Sequence, residues 1–181
     1  MRVTPGRIEG LALIEPKVHG DARGFFLESW NEHAFRDAGI DAHFVQDNHS
    51  RSQRGVIRGM HFQDPMPQGK LVRVVAGRAF DVAVDLRRSS PTFGQWEAVE
   101  LSASNHRMFW IPEGFAHGFL ALDDDTELLY KCTAPYAPEH EHILAWDDPD
   151  LAIDWPLDGL TPKLSGKDRE GTALADMGGP R

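Results

Sequence analysis

The chain holds a single cysteine, Cys132, among its 181 residues. No intrachain disulfide can form, which excludes a disulfide-stapled secreted scaffold and fits a reducing cytoplasm, so a cytoplasmic location is expected. No apolar run approaches the ~18 residues that a membrane-spanning helix needs, so no membrane span is expected. The opening stretch MRVTPGRIEG lacks the apolar core of a secretory signal. Cations are in deficit, with 19 Lys and Arg against 28 Asp and Glu, for a formal net charge of −9. Nucleic-acid backbones reward clustered cations, so that class of partner is not expected. A small anion held by a few local arginines and lysines remains compatible with the charge.

The hydrophobic fraction is 41% and the charged fraction 26%, the mixture of an ordinary soluble globular protein. The length suits one domain with a sizeable core. No internal repeat, low-complexity tract or linker breaks the sequence. The expected organisation is a single domain over 1–181, with a short C-terminal tail from about 170, a short helix near its start and a frayed MGGPR end.

Most of the chain reads as short strands. FDVAVDL alternates, with Phe80, Val82, Val84 and Leu86 on one face and Asp81, Ala83 and Asp85 on the other. IRGMHFQ, KLVRVVAG, QWEAVELS, RMFWIP, GFLAL and TELLYKC are comparable runs, separated by Gly, Pro, Ser, Asn and Asp. Short strands at this spacing predict an all-β sandwich or barrel. One segment reads as a helix: Asn31 can cap EHAFRDA, and Gly39 can end it in the left-handed region.

Polar groups interrupt these apolar runs. IRGMHFQ carries Arg58 and His61, IPEGFAHGF carries His117, QGKLVRV carries Lys70, and ELLYKCTAPY carries Tyr130. Burying such groups is costly unless they are compensated. A polar pocket with a ligand in its mouth is the simplest compensation. Lys131 and Arg73 alternate away from Tyr130 and Val74 and are expected at the surface. His140 and His142 form an HEH pair in a Pro/Glu-rich loop and are expected to be solvated.

IPEGFAHGF is similar to the second motif of cupins, small double-stranded β-helix barrels of jelly-roll topology. The metal-binding cupins also carry a first motif with two histidines and a glutamate. The corresponding stretch here, MHFQDPMPQGK, has one histidine and no glutamate. No metal and no cofactor are therefore expected, and a metal-dependent cupin oxygenase or isomerase is disfavoured. A closer resemblance is carried by GDARGFFLESW, FVQDNHSRS, IRGMHFQ, GKLVRV, FDVAVDLRRSSPTFGQW, IPEGFAHGF, LLYKCTAPY, IDWP and LSGKD. This ordered set, from about Gly20 to Asp168, resembles the dTDP-4-dehydrorhamnose 3,5-epimerase family.

The resemblance implies a cupin jelly roll with a few short peripheral helices, usually a homodimer. It implies epimerisation of dTDP-4-dehydro-6-deoxy-glucose at C3 and C5, on the route to dTDP-L-rhamnose. His61 matches the base, Asp168 its carboxylate partner, Tyr130 the opposing acid and Lys70 the cation near the developing oxyanion. Arg23, Phe26, Glu28, Gln46, Asn48, Arg58, His117, Glu141 and Lys167 match substrate-binding positions. The 23–28 segment is expected to reach the neighbouring subunit's site. Taken singly, Phe26 also reads as a core aromatic, Glu28 as a strand-edge charge, and Gln46 and Asn48 as turn formers. The family often has two adjacent tyrosines where this chain has Pro135 and Tyr136. The alternatives are a 3- or 5-mono-epimerase of a related dTDP-4-ketosugar and a non-catalytic nucleotide-sugar-binding cupin.

Overall fold

The structure is a computed structural model and describes residues 1–177. The expectation of frayed residues 178–181 lies outside the described residues. In chain order the elements are β1 (Arg2–Pro5), β2 (Ala12–Glu15), β3 (Val18–Asp21), β4 (Gly24–Leu27), α1 (Glu32–Asp37), β5 (Gln46–Ser52), β6 (Ile57–Gln63) and β7 (Lys70–Ala76). They continue with β8 (Arg78–Asp85), β9 (Trp96–Ser102), β10 (Met108–Ile111), β11 (Phe115–Ala121), β12 (Thr126–Cys132), β13 (Glu141–Ile143) and α2 (Gly166–Arg169).

Two antiparallel sheets face each other. One runs β1-β2-β10-β7-β12-β5, the other β13-β6-β11-β8-β9, and β3 and β4 form a separate hairpin. The chain crosses repeatedly between the two large sheets, as in a cupin-type jelly roll. Val72, Phe109 and Leu128 from the first sheet meet Ala83, Leu101 and Phe119 from the second in the inner core. Phe35 of α1 packs with Ile14, Leu71 and Met108 on the first sheet. The segment after β13 supplies Leu144, Leu151 and Trp155, which pack with Val82 and Val84 of β8 and with Leu86 just beyond it.

Between the sheets, the inward positions change character along the strands. On β7 and β12, Val74 stands opposite Leu128, Val72 opposite Tyr130, and Lys70 opposite Cys132. The apolar half is packed and the other half is polar.

A bulge decides what β6 presents. His117 pairs with His61, and Phe119 pairs with Arg58, so three steps on β6 oppose two on β11. Residues three apart on a regular strand point to opposite faces. The extra residue corrects the phase, and Arg58 and His61 line the same cavity. The strands touch closely here. A Cβ on Gly59 would lie 2.5 Å from Gly118 Cα, and φ at Gly59 is +124°, so glycine is required.

Several expectations are corrected. FDVAVDL is buried on both faces, with Asp81 and Asp85 fully buried, because β8 lies between the inner core and the C-terminal covering segment. QDNHSRS is the strand β5, so Gln46 and Asn48 do not form a turn. Its polarity on both faces masks the alternation. Glu141 and His142 of HEH belong not to a loop but to the edge strand β13, paired with β6, where His142 is exposed as expected and stacks on Phe62 at 5.2 Å. The region beyond 170 docks onto the body: Leu144 bridges Thr172, and Leu174 N donates to Asp148 Oδ2 at 2.6 Å. The helix at α1 forms as read, with Asn31 Oδ1 accepting from Ala34 N at 3.1 Å and Gly39 at φ +91°.

Candidate active site

The polar half of the barrel opens into a cavity of about 360 Å³. His61 enters from β6, and Asp168 comes from α2 on the other side of the ring. Ser165 caps α2 by accepting from Asp168 N at 3.2 Å, and Ser165 Oγ donates to Asp168 Oδ2 at 2.7 Å. The other carboxylate oxygen, Oδ1, lies 2.6 Å from His61 Nε2. A carboxylate only accepts, so Nε2 carries the hydrogen and Nδ1 is left as the basic atom. The His61 side chain is 26% exposed and that of Asp168 only 4%, so the imidazole meets the cavity while its partner is shielded. Burial raises the Asp168 carboxyl, but the hydrogen bonds from His61 and Ser165 outweigh it and hold it below the usual 3.8.

Tyr130 faces His61's sheet from β12. Burial pushes its phenol above the usual 10.0, against the pull of Arg58. It is therefore a protonated donor at neutral pH. Lys70, on the neighbouring strand β7, is 6% exposed, with its Nζ 3.4 Å from the carbonyl oxygen of His61. Burial lowers its ammonium below the usual 10.5, while Cys132, Asp81 and Glu141 pull it back up.

His117 from β11 lies beside this group, its ring centre 6.5 Å from that of Tyr130. Its Nε2 is 3.0 Å from each oxygen of Asp81. Burial pushes the imidazole below its usual 6.5, and Asp81 resists, so His117 is neutral at neutral pH. Arg58 is tied down at the cavity mouth. Its Nε donates to Ser52 Oγ at 3.0 Å and its Nη2 to Arg51 O at 3.1 Å.

Gln46 and Asn48 point inward from β5. Gln46 Nε2 donates to Asn48 Oδ1 at 3.0 Å, and Asn48 Nδ2 lies 3.5 Å from Cys132 Sγ. Ser50 Oγ, on the same strand, is buried without a hydrogen-bond partner and lines the cavity. Glu141 from β13 is held by Lys167 Nζ at 2.5 Å and by the Tyr136 hydroxyl at 3.1 Å. Burial opposes the ionisation of Glu141, and these partners together with His61 keep it below its usual 4.5.

The structure thus brings together ten of the expected residues: His61, Tyr130, Asp168, Lys70, Arg58, His117, Gln46, Asn48, Glu141 and Lys167. Arg23, Phe26 and Glu28 are not in this cavity. They belong to the β3–β4 hairpin and the turn after it, where Phe26 is 70% exposed, so it is not a core aromatic. Arg23 pairs with Asp21, and Glu28 accepts from Asn31 Nδ2 at 3.2 Å. Lys131 pairs with Asp47 on the outer face, and Arg73 is half-buried there.

Sequence reasoning missed Asp81, Ser165 and Ser50, and it noted Tyr136 only as the tyrosine beside Pro135, without placing it among the site residues. Serine at the start of SGKD is a helix-cap signal that could have found Ser165. Among the described residues, no three His, Cys, Asp or Glu side chains gather in a metal-binding group. Nor is any helix there long and apolar enough to cross a membrane.

The family model described as dTDP-4-dehydrorhamnose 3,5-epimerase matches residues 5–176. A Pseudomonas aeruginosa protein of that name is 58% identical over 177 residues, covering 97% of each chain. The crystal structure of a dTDP-6-deoxy-D-glucose-3,5-epimerase from Legionella pneumophila, in complex with dTDP-4-keto-L-rhamnose, superposes with a TM-score of 0.96. Its identity is 51%, over 99% of this chain and 97% of that one. A 3'-monoepimerase from Streptomyces bikiniensis, in complex with dTDP-quinovose, gives a TM-score of 0.89 at 41% identity, over 94% and 87% of the two chains.

Proposed function

The chain belongs to the dTDP-4-dehydrorhamnose 3,5-epimerase family, and on that premise we propose that its cavity inverts C3 and C5 of dTDP-4-dehydro-6-deoxy-glucose. The product is dTDP-4-dehydro-L-rhamnose, in the biosynthesis of dTDP-L-rhamnose. The C4 carbonyl acidifies the hydrogens on both neighbouring carbons. His61 takes such a proton, and the C–H electrons move onto the carbonyl oxygen as an enolate. Lys70 stabilises that oxyanion. Tyr130 then gives its phenolic proton to the opposite face of the carbon, the imidazolium releases its proton to solvent and the phenolate takes one from solvent, which restores both groups. Asp168 fixes the His61 tautomer and steadies the imidazolium.

The observation that carries this reading is the position of His61 on one sheet, held by Asp168 of α2, and of Tyr130 on the other sheet, around one cavity. A module that only binds a sugar nucleotide has no use for an oriented base opposite a protonated phenol. Arg58 is the intrachain cation for the diphosphate. Arg23, Phe26 and Glu28 serve a second copy: they do not line their own cavity, Phe25 and Phe26 of the same hairpin are exposed, and a homodimer carries Arg23 to the partner's site. The enzyme works in the cytoplasm.

Proton NMR of dTDP-4-dehydro-6-deoxy-glucose incubated with the protein in D2O tests the reading. The expected result is inversion with deuterium at both C3 and C5. Deuterium at one centre alone makes the chain a mono-epimerase, and binding without exchange makes it a non-catalytic binder.

A further inference from the structure

Residues 133–137, immediately after β12, form neither helix nor strand. Pro135 contributes no N–H to any ladder. Yet the backbone of this stretch is fastened at every residue. Thr133 N donates to Gly69 O at 3.0 Å. Gln68 Nε2 donates to Ala134 O at 2.8 Å. Gln46 Oε1 accepts from Tyr136 N at 2.8 Å. Gln63, at the end of β6, makes the central contacts. Its Nε2 donates to Pro135 O at 3.2 Å and to Met66 O at 2.8 Å, and its Oε1 accepts from Ala137 N at 3.0 Å.

Gln63 is only 5% exposed. A buried amide is costly unless its donors and acceptor are satisfied. Here loop backbone satisfies all of them. What the fastening holds is one side chain: within 133–137, Tyr136 alone lines the cavity. Its ring is half exposed, and its hydroxyl donates to Glu141, the carboxylate that Lys167 also holds.

We propose that Gln63 is a positioning residue for Tyr136, holding that ring as a wall of the cavity mouth against which the sugar nucleotide packs. The inference rests on the function proposed above and deepens it. It assigns Gln63 to nucleotide affinity and leaves proton transfer to groups anchored elsewhere, since His61 is held by Asp168 and Tyr130 by its own strand. Pro135 fits the same device, because its fixed φ removes one freedom from the loop that Gln63 clamps.

The test uses Gln63→Met, which keeps an unbranched chain of similar length without the amide. Calorimetry with dTDP and steady-state kinetics are run on the wild type, Gln63→Met, Tyr136→Ala and the double variant. Gln63→Met is expected to weaken dTDP binding and raise KM roughly 3- to 10-fold, the scale of one aromatic contact, with kcat essentially unchanged. In the Tyr136→Ala background the same change should add nothing, because both substitutions remove one contact. Unchanged dTDP affinity in Gln63→Met, a fall confined to kcat, or losses that multiply in the double variant would overturn the assignment. If Gln63→Met does not fold, Gln68→Ala, which frees Ala134 O, enters the same double-variant comparison under the same criteria. Amide hydrogen exchange reads the clamp without ligand: Tyr136 and Ala137 should exchange faster in the Gln63 or Gln68 variant than in the wild type, and equal rates refute it. Failure of the wild type to bind dTDP strikes the proposed function, while the exchange rates still decide the clamp.

Discussion

His61 and Tyr130 stand on opposite sheets of the barrel and line the same cavity, one paired to a buried carboxylate and the other a phenol raised by burial. A planar enolate held between them has one face toward a base and the other toward an acid. In the proposed reaction, inversion would follow from that placement, because the proton would leave by one face and a different proton arrive by the other.

The dyad's orientation makes Asp168→Asn more severe than the loss of a charge. Ser165 Oγ donates to Oδ2 and His61 approaches Oδ1. An asparagine keeps its oxygen toward Ser165 and turns its NH2 toward His61. The ring then carries its hydrogen on Nδ1 and is no base. Epimerisation should fall roughly 10²–10⁴-fold, the usual contribution of an acid–base group, with dTDP affinity unchanged in calorimetry.

The alkaline limb of the rate should belong to Lys70. Burial lowers its ammonium from 10.5 and raises the Tyr130 phenol from 10.0, so the two shifts move the discharge of Lys70 down in pH and that of the phenol up. In pH profiles of solvent exchange, Tyr130→Phe should retain this limb. Lys70→Met should lose it along with most of the activity. Loss of the limb in Tyr130→Phe would transfer it to the phenol.

Arg23 tests the second copy. Its side chain is 90% exposed and, among the described residues, paired with its neighbour Asp21, a contact worth little in water. Arg23→Ala should leave the thermal melt unchanged and weaken dTDP binding measurably in calorimetry, as for a lost charged hydrogen bond. Unchanged affinity removes Arg23 from the site.

Acid stability should depend on Asp85. Burial works against its charge, but Arg87, Ser90 and Thr92 donate to it and bring its pKa from 3.8 to about 2. The folded value is below the unfolded one, so the stabilisation is complete above 3.8 and is lost as pH falls through about 2. It amounts to about 2 kcal/mol. Urea unfolding across that window should show this slope in the wild type and not in Asp85→Asn.

Much of this was legible in the residues. Strand runs with clean apolar content, such as KLVRVVAG and TELLYKC, became β7 and β12, because alternation reports a face buried in a core. His61, Lys70 and Tyr130 stood out as polar groups within such runs. β5 escaped for the converse reason: its inner face lines a polar cavity, so Asn48 and Ser50 point inward while Asp47 and His49 point out. The shared facing of Arg58 and His61 depends on a bulge set by two close-packed glycines, which no periodicity announces. Asp81 and Asp85 read as a polar face, since alternation cannot tell solvent from a buried partner such as His117 or Arg87. Tyr136 is held by glutamines distant in sequence, so the fold alone reveals how it is placed.

Proton NMR in D2O with two variants separates base from acid. His61→Ala should abolish both epimerisation and exchange at C3 and C5. Tyr130→Phe keeps the base, so it should still exchange deuterium into the sugar with retained configuration and form little inverted product. Inversion at near wild-type rate by Tyr130→Phe, or continued exchange by His61→Ala, would contradict a base and an acid placed on opposite sheets.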